Sequence, residues 1–282
     1  MKNKAVTIVC CILIILAIIC FGYIFLNSNK KVEENTNVNN EQEEEENTEV
    51  VQREERAKNV VVNSRIGNQL TEHINYSNIY SDRIVNELDE NGLSDKAKLL
   101  IALDKLYRKA DYQNLMSYPE DYSATYITGE NMQKILDDTF YNSNTNYMSI
   151  EESLEYDSVN NIFTLVHIGY EGASFNYTLE IPYQILQYSD RIELQAYRIY
   201  ITKNVQMQEI TSNITNNLYY DKAKSVLALT LNDEKLGMES GQIEYIRELI
   251  ENGTIDESIL ESVQYIFKNN NDIYKLDGFK KI

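Results

Sequence analysis

The chain has 282 residues, with 26 Lys and Arg against 44 Asp and Glu, a formal charge of -18, two histidines, three cysteines and no tryptophan. At about 150 residues per domain this is one large domain or two small ones, long enough to bury a core. The acidic balance excludes a nucleic-acid partner, which needs clustered Lys and Arg, and the scarcity of His and Cys leaves no expected metal or cofactor site.

From Ala5 to Leu26 only Thr7 is clearly polar, and a helix of that length covers about 33 Å, the thickness of a bilayer core. The sequence predicts a transmembrane anchor over 5–26, with the lipid bilayer as its partner. A cleaved signal peptide is the competing reading, since Lys2 and Lys4 form a short basic start. The apolar run is longer than the roughly 7 to 15 residues of a signal core, and no small-x-small site precedes Asn27. Lipidation is disfavoured because Cys20 follows Ile18 and Ile19, while Cys10 and Cys11 lie deep in the segment. Residues 1–4 are then a short cytoplasmic tail, and everything that can form a core follows the span. The expected location is the cell membrane, single-pass, with the C-terminal domain outside.

Residues 27–59 read as an acidic linker. Between 32 and 57, ten glutamates stand against Arg53 and Arg56, with few apolar groups to offset the entropy of ordering. Like-charge repulsion extends such a segment into a stalk. Consecutive glutamates without turn glycines do not make a calcium loop.

Residues 60–282 are expected to form an α+β domain, with a possible subdivision near 119. Apolar residues at Ile66, Leu70, Ile74, Tyr80, Ile84 and Leu88 predict an amphipathic helix, with a break near Asn75. Gly92 stops it, and Ser94 caps a second helix through Leu99, Leu103 and Leu106. The short link favours an antiparallel helix pair. Beyond Pro119, Tyr126-Ile127 is a short strand and Thr128 caps a third helix with Met132, Ile135, Leu136 and Phe140 on its buried face.

The period then changes to two. Leu154–Tyr156, Ile162–Tyr170, Phe175–Ile181 and Ile192–Ile201 predict consecutive antiparallel strands in a meander, with turns at 157–161 and 171–173. Val205–Leu231 has strand-like pieces, Gln242–Glu251 is helical, and Val263, Tyr265 and Phe267 open a closing hairpin completed by Ile273–Leu276. The expected fold is therefore α+β: a helix pair and an antiparallel sheet with helices on one face.

Candidate chemistry is sparse, and the catalytic residues stay unknown. His73, beside Glu72 on a helix, and His167, within a strand, suit structural roles better than a ligand set, because neither has a second histidine nearby in sequence. Gly172-Ala173-Ser174 starts like a nucleophile elbow, but Asn176 stands where the closing glycine belongs. The adjacent pairs Glu151–Glu152 and Asp137–Asp138 are ordinary in so acidic a chain. Tyr170, Tyr177, Tyr183, Tyr188, Tyr197 and Tyr200 fall in or beside strands, where aromatic rings with polar tips suit a sugar- or peptide-binding surface. Strand propensity and the abundance of Asn, Ile, Lys and Tyr throughout explain the same residues without function. Sequons at Asn75, Asn176, Asn213 and Asn252 matter only in a eukaryotic secretory pathway.

The order of span, acidic spacer and sheet-rich domain is similar in layout to anchored ectodomains of Gram-positive bacteria, and no motif carries the likeness further. The leading expectation is a non-catalytic, membrane-anchored extracytoplasmic protein that acts by binding a protein or an envelope polymer. The alternatives are an envelope hydrolase using carboxylates and a ligand sensor working through a membrane partner.

Overall fold

The computed structural model describes residues 57–118, 125–166, 175–207, 212–236, 239–270 and 273–282, all within the compact unit Glu54–Ile282. The expected span 5–26 and most of the acidic linker lie outside the described residues, as do His167, Tyr170 and the 172–174 turn. No helix among the described residues is long and apolar enough to cross a membrane.

Helices follow the short opening strand Lys58–Val60. The periodic stretch from Ile66 to Leu88 is broken into α1 (Arg65–Ile74) and α2 (Ser81–Asn91). The break follows Asn75, where Asp104 captures the intervening backbone: its carboxylate accepts from Ser77 N at 2.8 Å and from Ser77 Oγ at 2.6 Å. Gly92, at φ 61°, ends α2 in a conformation that L side chains rarely adopt. Ser94 then caps α3 (Asp95–Arg108) by accepting from Ala97 N at 3.1 Å. A one-turn α4 (Ala110–Gln113) follows, and α5 (Gly129–Thr139) begins at the expected Thr128 cap. Met132, Ile135, Leu136 and Phe140 are buried, as their spacing requires.

The strands depart from the expected meander by dividing between two antiparallel sheets. β2 (Thr125–Thr128), β3 (Leu154–Asp157) and β4 (Ile162–Leu165) form a small sheet in the order β2-β4-β3. Both edges of β4 are occupied by β2 and β3, so β5 (Phe175–Gln187) cannot join it and starts the larger sheet instead. That sheet runs β1 (Lys58–Val60), β5, β6 (Ile192–Met207), β7 (Ser212–Tyr219) and β8 (Leu227–Asn232). β1 takes in Lys58 and Asn59, the last two residues assigned to the linker. The closing hairpin of β9 (Glu261–Asn270) and β10 (Ile273–Lys281) forms as the alternation of Val263, Tyr265 and Phe267 requires.

β6 is the hinge of the large sheet. One edge pairs with β5, while the other pairs with β9 from Ile192 to Arg198 and with β7 from Tyr200 to Met207. The sheet therefore forks between Arg198 and Tyr200. β5 was expected to stop at Ile181, before Pro182, yet it continues to Gln187. Its register shifts between Pro182 and Gln184, and this bulge accommodates Pro182, whose missing N–H no ladder can use.

The bulge also reverses the side-chain alternation. Tyr177, Leu179 and Ile181 belong to a core with α7 (Glu239–Glu251), whereas Ile185 belongs to the core with α1, α2 and α3. On β6, Ile192, Leu194 and Ala196 face the first helical group and Ile199 and Ile201 face the second. Helices thus cover both faces of the large sheet, correcting the expectation of one. Each apolar side chain buried in this way contributes roughly 1.5–3 kcal/mol, so a sheet with two apolar faces is stable only with both covered. A short α6 (Asp233–Leu236) supplies Leu236 to the α7 side.

Candidate functional site

A groove of about 300 Å³ opens between the sheet and α7. Its floor carries Pro182, Tyr183 and Tyr197, one wall is the Val61-Val62-Asn63 segment after β1, and the other is Arg247, Ile250 and Glu251 of α7, with Glu257 at one end. Tyr183 is the unpaired residue at the β5 bulge, and its ring stacks on Tyr197 with centroids 4.0 Å apart and planes 17° apart. Both rings are half-buried. Tyr183 Oη donates to Gln195 Oε1 at 3.0 Å, and Tyr197 Oη points to Glu257 Oε2 at 3.4 Å. Burial and the Glu257 charge raise the Tyr197 phenol above its ordinary value, so it remains a neutral donor. Across the groove Arg247 Nη1 donates to Asn63 Oδ1 at 3.3 Å. The result is an aromatic floor bordered by a guanidinium, an amide and two exposed carboxylates, which suits a ligand with an apolar face and hydrogen-bonding edges.

Of the other tyrosines singled out by sequence, the three among the described residues are not brought together. Tyr177 and Tyr200 are buried in the sheet, and Tyr188 lies under the Arg191 guanidinium at 4.0 Å. The carboxylate pairs also stay apart. Asp137 and Asp138 are exposed on α5, accepting from Gln133 at 2.8 Å and Tyr112 at 3.2 Å. Glu151 and Glu152 border a separate polar cleft of about 380 Å³, where Glu152 pairs with Arg83 at 2.8 Å and Glu87 with Lys96 at 3.0 Å. Those charges are spent on one another.

His73 is half-buried, packs edge-on against Phe267 and meets Lys105 Nζ at 3.0 Å through its Nδ1. Burial, with the charges of Lys105 and Lys109, holds the imidazole well below its ordinary range. Lys105 itself is 3 % exposed, and burial with neighbouring Lys109 and Arg108 lowers its amine to about 7. Neither the Tyr183–Tyr197 groove nor the cleft beside Arg83 and Lys96 is lined by this pair.

The most heavily charged feature of the interior is one that sequence reading missed. Arg198, fully buried at the fork, bonds Glu180 at 2.8 Å, Asp89 at 2.5 Å and Glu261 at 3.2 Å. Tyr265 donates to Glu180 at 2.5 Å, Tyr200 donates to Glu261 at 2.7 Å, and Lys281 bridges Asp89 and Glu261. Burial raises Glu180 despite its cation. It is outweighed at Asp89, which Arg198 and Lys281 draw below the usual carboxylate value. The signal was local: Glu180 stands between the odd-numbered apolar residues Leu179 and Ile181, and Arg198 between Tyr197 and Ile199, so short-range alternation assigns both charges to solvent. α2 covers that face and turns solvated charges into a closed network.

Among the described residues no group of three or more His, Cys, Asp or Glu is placed to hold a metal ion. Comparison of the chain with known protein families, with curated proteins and with solved structures gives no match.

Proposed function

We propose that this chain is a non-catalytic binding protein of the cell envelope, held to the bilayer by residues 5–26 and carried outward on the acidic segment that follows. The observation that carries the reading is the half-buried Tyr183–Tyr197 stack in a groove with a polar border. Fixed aromatic rings present contact area at little entropic cost, and Asn63, Arg247, Glu251 and Glu257 supply both donors and acceptors around them. A saccharide strand or an extended peptide of an envelope protein has the matching chemistry. The hydrolase alternative draws less support, because its carboxylate pairs lie on separate exposed surfaces and the buried carboxylates are engaged by cations and phenols.

The test is binding of the detergent-purified full chain to isolated envelope material, polymer and protein fractions assayed separately. Replacing both Tyr183 and Tyr197 by alanine is expected to weaken binding about tenfold or more, the effect of removing about 1.4 kcal/mol of aromatic contact. Equal binding by the double variant, with its thermal transition retained, overturns the assignment of the groove. Protease added to intact cells tests the outward placement: digestion of the domain is expected, and its survival beside a digested exposed control defeats that placement.

A further inference from the structure

The carboxylates at the border of the Tyr183–Tyr197 groove are left without cations. In the cleft beside Arg83, by contrast, Glu152 is held by Arg83 and Glu87 by Lys96. At the groove Glu251 and Glu257 are both exposed, and neither pairs with a Lys or Arg among the described residues. Arg247 stands one turn before Glu251 on α7, yet its Nη1 donates to Asn63. Glu257 lies against the Tyr197 phenol at 3.4 Å. Two carboxylates against one guanidinium leave the border acidic. Glu251 is also the last residue of α7, a helix of 13 residues with no basic residue in its last turn, so the negative pole of the helix adds to its charge. The stacked phenols on the floor contribute the electron-rich faces of their rings.

Resting on the assignment of this groove as the binding site, we propose that its ligand is an extended peptide segment of a partner protein that carries a lysine or arginine. The cation is received by the tyrosine pair with Glu251 and Glu257. Charge decides for a cation. The chain carries -18, so basic segments are steered towards it from a distance, and at the groove a cation offsets the two carboxylates and meets the ring faces together. A neutral saccharide would cover the rings and leave both carboxylates as they are. The border also decides for a peptide. Val61, on one wall, is 72 % exposed, and Ile259, two residues past Glu257, is 52 % exposed. A polyamine or an amino-sugar polymer offers these apolar side chains nothing, whereas a peptide with an apolar residue beside its basic one engages both.

Fluorescence anisotropy of labelled probes with the full chain in non-ionic detergent reads this directly, at about 0.15 M salt, where charges more than about 8 Å away are screened. The probes are a hexapeptide of alternating valine and lysine, the same peptide with glutamine for lysine, and a neutral oligomer of N-acetylglucosamine. The lysine peptide is expected to bind about tenfold or more tightly than the glutamine peptide. Glu251→Gln with Glu257→Gln should weaken it about tenfold, while Asp137→Asn with Asp138→Asn, an equal change of charge on α5, should weaken it less than about twofold. Equal binding of the two peptides overturns the proposal, and so does equal weakening by the two charge variants, which would reduce the attraction to net charge. Tyr183→Ala with Tyr197→Ala separates the cation from the groove beneath it. Loss of the sugar oligomer or of envelope material in that variant, with no lysine-peptide binding by the wild type, rejects the cation and leaves the groove standing. Undiminished binding of every probe by that variant, with its thermal transition retained, rejects the groove and the cation together.

Discussion

Arg198 and Glu180 stand opposite each other across the β5–β6 ladder, joined at 2.8 Å, with side chains 0 % and 1 % exposed. The pair lies where β9 leaves β6 and β7 takes its place, so a rigid polar network fills the fork that apolar packing would leave irregular. Removing the cation strands Glu180 and Asp89 in the interior. Arg198→Met is therefore expected to cost about 3–5 kcal/mol in urea unfolding, the range for breaking one partner out of a buried ion pair. Met retains most of the volume, so the loss reports charge more than packing. A change under about 1 kcal/mol would mean that the network does not hold the fork.

Lys105 and His73 make stability depend on pH in a definite direction. Both have folded-state pKa values depressed below their ordinary ones, Lys105 from 10.5 to about 7 and His73 from 6.5 downward. The unfolded chain then binds more protons than the folded one, from pH 10.5 down to about 7 for the lysine and below 6.5 for the histidine. By linkage, stability rises with pH through both windows. Lys109, Arg108, Asp104 and Glu72 surround the amine, and burial is the leading cause of the shift. Urea melts at pH 7 and pH 9.5 should show the wild type gaining more than about 1 kcal/mol, the equivalent of one pKa unit. Lys105→Met should remove most of that gain, and an equal pH slope in the two proteins would exclude a desolvated lysine.

Gly67 lies one turn into α1, directly under the segment that walls the groove. A Cβ there would stand 1.9 Å from Val62 O and 2.9 Å from Val61 O, both backbone atoms that cannot rotate away. Gly67→Ala is expected to cost about 1–3 kcal/mol through overpacking, despite the higher helix propensity of alanine. It should also weaken binding at the Tyr183–Tyr197 groove by moving Val61 and Val62 outward. A more stable alanine variant would show that this segment yields readily.

The helices were legible because local signals agreed. Ser94, Thr128 and Gly92 mark boundaries by hydrogen bonds and backbone conformation available within a turn, and the 3.6-residue spacing of Met132, Ile135 and Leu136 fixes which side is buried. The strands were legible as strands and not as a sheet, since period two says nothing of which strand lies beside which. Pro182 hid the continuation of β5, and the bulge beside it hid the meeting of Tyr183 with Tyr197. Of the five described tyrosines among those proposed for a binding surface, these two line the groove.

The amino-acid sequence alone determined the class, the helix caps and the strand-forming segments, because those follow from contacts between residues a few positions apart. Tertiary structure alone decided that β4 and β5 part company, that helices cover both faces of the larger sheet, and that Arg198 is buried among carboxylates. The physical reason is that burial belongs to the assembled layers. A charge on the outward side of one strand is solvated until a helix far along the chain comes down on it, as Asp89 does on Arg198.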